Sequence, residues 1–274
     1  MICNVLSIAG TDPSGGAGSP ADVKTFSALG VYGAAVVTAV VAQSTRGVVG
    51  IHPVPAAFVG VQLDAVFDDL RIDAVKIGML GTAEVVRVVA DVLRRRRPRH
   101  VVLDPVMVAT SGDPLLDAGA LTTLREELLP LVDLITPNTV EAAALLGEPE
   151  AVTLDQAADQ VARLNRLCPG VLLTGGHLDG PRCVDLLAID GATTRWAADR
   201  VDTMNTHGTG CTLSSAVTAL RPQRAGWALA VRDAKEYLTA ALRVGDLLDV
   251  GQGRGPVHHF HALWPPAASG NGLA

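Results

Sequence analysis

Residues Asn205 to Ser215 read Asn-Thr-His-Gly-Thr-Gly-Cys-Thr-Leu-Ser-Ser, a glycine-spaced turn that leads into a helical pattern. Gly208 and Gly210 have no side chain to obstruct a ligand, so the amides of residues 208 to 211 can converge on an anion at the positive end of the helix dipole. The stretch therefore predicts an anion hole formed by Gly208, Thr209 and Gly210. A structural alternative stays open, because Gly and Thr also begin helices that bind nothing.

Cys211 stands in the first turn of this predicted helix. The positive partial charge at a helix start favours the thiolate form of a cysteine, which makes the Cys211 sulfur a candidate proton acceptor in catalysis. The alternative is a cysteine that acts only as a small apolar side chain.

Composition excludes two classes of partner. The 274 residues are 49% hydrophobic with a formal charge of −6, which supports a large core and offers no broad basic face to nucleic acid. The one basic cluster, Arg94 to Arg97 with Arg99, marks the end of a helix. Apolar runs such as Ala34 to Ala42 are shorter than the roughly 20 residues of a membrane span.

The four cysteines have no metal-ligand spacing, and no signal peptide precedes them, so we expect a cytoplasmic protein. His258, His259 and His261 do not complete a metal site either, because adjacent histidines point in different directions and no acid or cysteine joins them.

Short apolar runs alternate with helical patterns along the chain, which predicts an α/β fold with a doubly wound, mainly parallel β-sheet and helices on both faces. An exception is the hairpin predicted for Val184 to Ile189 with Thr193 to Ala197. No linker divides the chain, so we expect a single domain over residues 1–264 and a flexible tail over 265–274.

The first predicted strand, Val5 to Ala9, runs through Gly10 into the loop Gly15-Gly16-Ala17-Gly18. This spacing is not the dinucleotide pattern Gly-x-Gly-x-x-Gly. The following Ser19-Pro20-Ala21-Asp22 predicts a helix start in which Ser19 caps and Asp22 closes a capping box. Alternatively, Asp22 is a carboxylate at the mouth of a phosphate site.

Polar residues follow several of the predicted strands, at the sheet edge where ligands gather. Gln43 comes after the run Ala34 to Val41, and its amide can read a flat heterocycle or be merely solvated. Asp104, Asn138 and Glu141 offer hard oxygen ligands for Mg²⁺, directly or through water. Asn138 and Glu141 can equally form the capping box of a helix.

Several stretches together resemble the ribokinase-like hydroxymethylpyrimidine and phosphomethylpyrimidine kinases of thiamine biosynthesis. The resemblance covers residues 4 to about 264 and is specific in combination. The stretches are Ile8 to Gly18 with Ala21 to Phe26, Lys76 to Leu80, Leu103 to Met107 with Ser111 to Leu116, Asn205 to Leu213, and Gly255 to Phe260.

The resemblance implies a homodimeric enzyme that uses ATP and Mg²⁺ to phosphorylate 4-amino-5-hydroxymethyl-2-methylpyrimidine, and then its monophosphate to the pyrophosphate. It implies that Gln43 hydrogen-bonds the aminopyrimidine, that Asp22 faces the transferred phosphate and that Cys211 is the base. Asn138 and Glu141 would organise Mg²⁺. The residues implied around the pyrimidine ring are Gly10, Ala17, Val41, Met79 and Val106.

Three positions depart from the family pattern. Ser19-Pro20 stands where the family has Ile-Gln, so one amide is lost; Thr174 replaces a common Lys; and Ser44 replaces a common Asn. Two other functions therefore stay open: a pyridoxal or pyridoxine kinase on the same scaffold, and a pyrimidine-binding protein without turnover.

Overall fold

The computed structural model describes residues 1–108, 112, 115–178, 180 and 182–264. The predicted tail 265–274 and part of the motif Ser111 to Leu116 lie outside the described residues. No helix in the described ranges is long and apolar enough to cross a membrane.

An eight-stranded sheet forms the centre of the fold, in the order β10-β9-β8-β7-β6-β5-β1-β2. The pairs from β2 across to β8 are parallel, and β8-β9 and β9-β10 are antiparallel. The predicted mainly parallel sheet and its terminal hairpin are confirmed. The eight strands are β1 (Asn4–Ala9), β2 (Tyr32–Val37), β5 (Ala74–Ile77), β6 (Val101–Leu103), β7 (Leu134–Ile135), β8 (Val171–Leu173), β9 (Arg182–Ile189) and β10 (Ala192–Asp199).

Helices cover both faces of the sheet, since one apolar cluster includes α2, α3, α5 and α6 and a second includes α7 and α8. The sheet strands are apolar on both sides for this reason. The helices are α1 (Gly18–Ala28), α2 (Ala56–Asp69), α3 (Ala83–Arg96), α4 (Ala118–Thr123), α5 (Thr139–Leu146), α6 (Leu154–Leu164), α7 (Thr209–Leu220) and α8 (Trp227–Arg243).

The sequence suggested that the run Ala34 to Val41 forms one strand, but the structure divides this run between two strands. It breaks at buried Thr38, whose hydroxyl donates to the carbonyl of Met79 at 2.6 Å. The chain then turns out of the main sheet into β3 (Ala39–Ser44), which pairs with β4 (Gly47–Pro53) in a separate two-stranded sheet. Gln43 therefore lies on a strand, at the register shift next to Ala42, and not after a strand end.

The capping box predicted for Ser19 and Asp22 is wrong. Helix α1 begins at Gly18, and its N-cap residue Ala17 has no side-chain cap. Gly18 has a φ of 58°, and an added Cβ would overlap the carbonyl oxygen of Gly10. This close approach starts the helix early, so Asp22 falls in its second turn and faces the core.

Asp22 forms a fully buried ion pair with Lys76 on β5, at 2.9 Å. Its carboxylate also accepts hydrogen bonds from Ser7 on β1 at 2.6 Å and from Ser215 on α7 at 2.7 Å. The pair therefore joins two strands and two helices. Burial of two charges is costly, and the hydroxyl donors offset part of that cost.

We predict that Lys76→Met lowers the free energy of unfolding by about 3–5 kcal/mol, because it leaves a buried carboxylate without its cation. Urea denaturation measures the loss. Arg71→Met is the matched control, since the Arg71–Asp73 pair has a 55% exposed arginine and should cost less than about 1 kcal/mol. Equal losses in the two variants would contradict this account.

Candidate active site

The start of α7 offers free backbone donors. Its N-cap is Gly208, with a φ of 74° and no side-chain cap. A Cβ on Gly208 would overlap the carbonyl oxygen of Gly16, so only glycine fits this contact between two loops. Within the described ranges, no carbonyl accepts from the amides of Gly210 or Cys211. Two free amides at a helix N-terminus are what an anion requires.

A buried pair fastens the loop of residues 10–18 to this helix start. His207 Nε2 lies 2.7 Å from Asp12 Oδ2, and the same oxygen accepts from the amide of Ala17 at 2.8 Å. Burial alone would raise the pKa of Asp12, but the hydrogen bonds from His207 and Ser14 outweigh it and the pKa is lowered. Sequence reasoning missed this pair, although both residues lie in stretches that it singled out.

The thiol of Cys211 interacts with the start of α1 and with the residue that follows β6. It accepts a hydrogen bond from the amide of Gly18 and forms another with the side chain of Asp104. Burial raises its pKa to about 12; the charge of Lys76 opposes this, while Asp104 and Asp22 add to it. The expectation that the helix start favours the thiolate is therefore wrong, and the thiol carries its proton at neutral pH.

Asp104 follows β6 and turns towards α7. It is 3% exposed, and its Oδ2 accepts from Ser214 Oγ at 3.1 Å. Burial raises its pKa above the ordinary range, and Lys76 counteracts this only partly. Of the three residues predicted for Mg²⁺, Asp104 is thus the one that lies against Cys211.

Asn138 and Glu141 form a capping box for α5. Asn138 Oδ1 accepts from the amide of Glu141 at 2.8 Å, and Glu141 Oε2 accepts from the amide of Asn138 at 2.9 Å. The structural interpretation of this pair is confirmed. Burial, together with the charge of Asp104, raises the pKa of Glu141 to about 8.

The same residues also fit a nucleotide-bound Mg²⁺. In the part of the chain that the structure describes, no group of three or more His, Cys, Asp and Glu is arranged around a metal. Mg²⁺ held by nucleotide phosphates needs only one or two carboxylates, however. The pKa of Glu141 is raised, and among the described residues the buried hydroxyl of Thr136, two positions before Asn138, has no hydrogen-bond partner. A divalent cation would stabilise the Glu141 carboxylate and give the hydroxyl a partner.

The structure brings together four of the five residues implied around the ring. Val41 and Met79 are buried in one small apolar cluster, and Val106 packs against it. A Cβ on Gly10 would lie 3.0 Å from Met79 Sδ. The fifth, Ala17, is on the adjoining loop.

Gln43 lines a cleft of about 470 Å³, together with His207. Cys211 is not among the residues that line this cleft; it lies one helical turn beyond His207. Asp22 is fully buried beneath the site, so its carboxylate does not reach a phosphate as the resemblance implied. Its effect on the site is indirect, through its partner Lys76, whose charge opposes the rise in the pKa of Cys211.

Two of the departures have mild structural consequences. Pro20 lies in the first turn of α1, where an amide would have no partner within the helix. Thr174 follows β8 and forms an isolated parallel bridge with Asn138, which puts it at the edge of the site.

Comparisons with known proteins agree on one family. A family model described as phosphomethylpyrimidine kinase matches residues 12–258. The hydroxymethylpyrimidine/phosphomethylpyrimidine kinase of Escherichia coli K12 is 55% identical over 262 residues, which cover 95% of this chain and 98% of the relative.

Solved structures share the fold. The pyridoxal kinase of Bacillus subtilis, in an ADP complex, matches with a TM-score of 0.88 at 34% identity, over 96% of this chain and 99% of that one. The phosphomethylpyrimidine kinase of Clostridium difficile 630 matches with a TM-score of 0.78 at 37% identity, over 88% of this chain and 99% of that one. The fold is ribokinase-like, and the chain belongs to the phosphomethylpyrimidine kinase family.

Proposed function

We propose that this chain uses ATP to phosphorylate 4-amino-5-hydroxymethyl-2-methylpyrimidine, and then phosphorylates the monophosphate to the pyrophosphate, for thiamine diphosphate biosynthesis. The names of its relatives support this function over pyridoxal phosphorylation. The structural observation that carries it is the meeting of two free amides, a thiol and a buried carboxylate at the first turn of α7.

Bound ATP with Mg²⁺ supplies the phosphoryl group and neutralises part of its charge. The amides of Gly210 and Cys211 hold the oxygens of that group, and they do so without reorganisation because Gly208 is locked against Gly16. Gln43 orients the aminopyrimidine with its amide donor and acceptor. Positioning and charge stabilisation provide most of the rate.

Cys211 takes the proton of the substrate hydroxyl. Since its pKa is about 12, the thiol must first pass its own proton to a neighbour. Asp104, which is hydrogen-bonded to the thiol and has a raised pKa, is that acceptor. Glu141 and Asn138 would hold the nucleotide-bound Mg²⁺, directly or through water.

We also propose a cytoplasmic homodimer. The four cysteines are free thiols, as suits a reducing compartment. The β3-β4 sheet exposes Val40, Val49 and Ile51, which are apolar side chains that a second copy of the chain would cover.

The function is tested with purified protein, Mg²⁺-ATP and the aminopyrimidine alcohol, with mono- and diphosphate products resolved by chromatography. We expect both products, and a clearly higher rate than with pyridoxal because the Gln43 amide matches an aminopyrimidine edge. Equal or reversed rates would favour a pyridoxal kinase. Binding by calorimetry without ATP consumption would favour a protein that has lost turnover.

The role of Cys211 is tested by Cys211→Ala, which should lower kcat on the order of 10²-fold with little change in KM, because a proton acceptor is lost. Steady-state kinetics with the alcohol measure the change. Cys168→Ala is the matched control, since burial also raises the pKa of Cys168 to about 12 but this thiol donates to the carbonyls of Val132 and Gly170 and has no part in the proposed site. Unchanged kcat in Cys211→Ala would reject the role.

The variant Glu141→Gln distinguishes the role of Glu141 as a helix cap from its proposed role in Mg²⁺ binding. Glutamine can still accept the capping hydrogen bond, as Gln156 does in the capping box of α6. The pKa of Glu141 is about 8 against an ordinary 4.5, so the folded state holds more protons than the unfolded state in this window and stability falls as pH rises from 4.5 to 8. The uncharged variant should therefore be no less stable than the wild type at pH 7.5.

We expect the same variant to need about tenfold more Mg²⁺ for half-maximal activity, because a carboxylate facing the cation is lost. A Mg²⁺ titration at saturating ATP measures this. Glu150→Gln removes the same charge near α5, where Glu150 accepts from Thr139 Oγ1, and serves as control. An unaltered Mg²⁺ requirement in Glu141→Gln would leave Glu141 as a cap alone.

A further inference from the structure

The cleft that contains Gln43 is positively charged in an otherwise acidic protein. Arg46, at the turn between β3 and β4, and Arg254, on the loop before the last helical turns of the chain, both line it. None of the described residues that line it is Asp or Glu, whereas the whole chain has a formal charge of −6. The lining residues are Gln43, Ser44, Thr45, Arg46, Gly47, Met204, His207, Gln252, Gly253 and Arg254.

Backbone contacts hold the two arginine-bearing turns together. The amide of Arg254 donates to the carbonyl of Thr45 at 3.0 Å, and the amide of Gly253 donates to Thr45 Oγ1 at 3.1 Å. A Cβ on Gly253 would overlap the Thr45 carbonyl, so the contact requires glycine. The placement of both arginines at one cleft is therefore built into the fold.

Neither guanidinium is neutralised by a carboxylate of the described residues. The Arg46 side chain binds the neutral amide of Gln252, and in the described ranges neither Arg46 nor Arg254 has a carboxylate within ion-pair distance. Guanidinium groups bind phosphate oxygens with paired hydrogen bonds. The cleft thus suits a ligand that offers a polar edge to the Gln43 amide and an anionic group to the two arginines.

The two substrates of the proposed function differ in charge. The alcohol is uncharged at its hydroxymethyl group, whereas a phosphate monoester has about −1.5 to −2 charges at pH 7. We propose that Arg46 and Arg254 are specificity-determining residues that attract the phosphorylated pyrimidine and retain it for the second phosphorylation. This inference rests on the proposed function, and it adds a reason why the monophosphate is kept and not released.

The test is the double variant Arg46→Gln with Arg254→Gln, assayed separately with the alcohol and with the monophosphate. KM for the monophosphate should rise on the order of tenfold, while KM for the alcohol stays within about twofold, because only the monophosphate meets the missing charges. Added salt should lower kcat/KM for the monophosphate in the wild type, and this salt dependence should be weaker in the double variant. If Arg46 is replaced by lysine and not by glutamine (Arg46→Lys), the rise in KM for the monophosphate should be smaller.

Arg195→Gln with Arg243→Gln removes the same charge from two sites away from the cleft, and both KM values should stay as in the wild type. If the cleft variant raises the two KM values equally, the arginines only hold the turns together and the inference is overturned. If neither value changes, it is also overturned. If the wild type turns over neither substrate, the proposed function itself fails.

Discussion

The ion pair between Asp22 and Lys76 is the constraint on which the site depends. Because both charges are fully buried, the surrounding elements must bring hydroxyl donors to the carboxylate, and Ser7 and Ser215 do so from β1 and α7. The pair thereby fixes α7 relative to the sheet. It also places a positive charge next to Cys211 and Asp104, since the Lys76 ammonium limits the rise in the pKa of both.

The alternation of strands and helices could be predicted from the sequence because parallel strands buried on both faces leave short, uninterrupted apolar runs. Local patterns also predicted the start of a helix after Gly208 and the capping box of Asn138 and Glu141, whose partners are three residues apart. These features depend on contacts within a few residues, which a sequence displays directly.

Features that depend on distant contacts were not predictable. Asp22 was assigned to a capping box because the close approach of Gly18 to Gly10 is invisible in the sequence. The expectation of a thiolate at Cys211 was wrong because burial and the carboxylates of Asp104 and Asp22 raise the pKa of the thiol. These groups come from other elements of the fold. Asp12 and His207 are 195 positions apart, so nothing in either stretch pointed to the other.

The high pKa of Cys211 has a consequence for the durability of the protein. Oxidants attack the thiolate form of a cysteine and largely spare the protonated thiol. A sulfur that keeps its proton until a substrate arrives can serve at a reactive position and still withstand peroxide. The raised pKa therefore leaves the sulfur of Cys211 mainly in the form that oxidants spare.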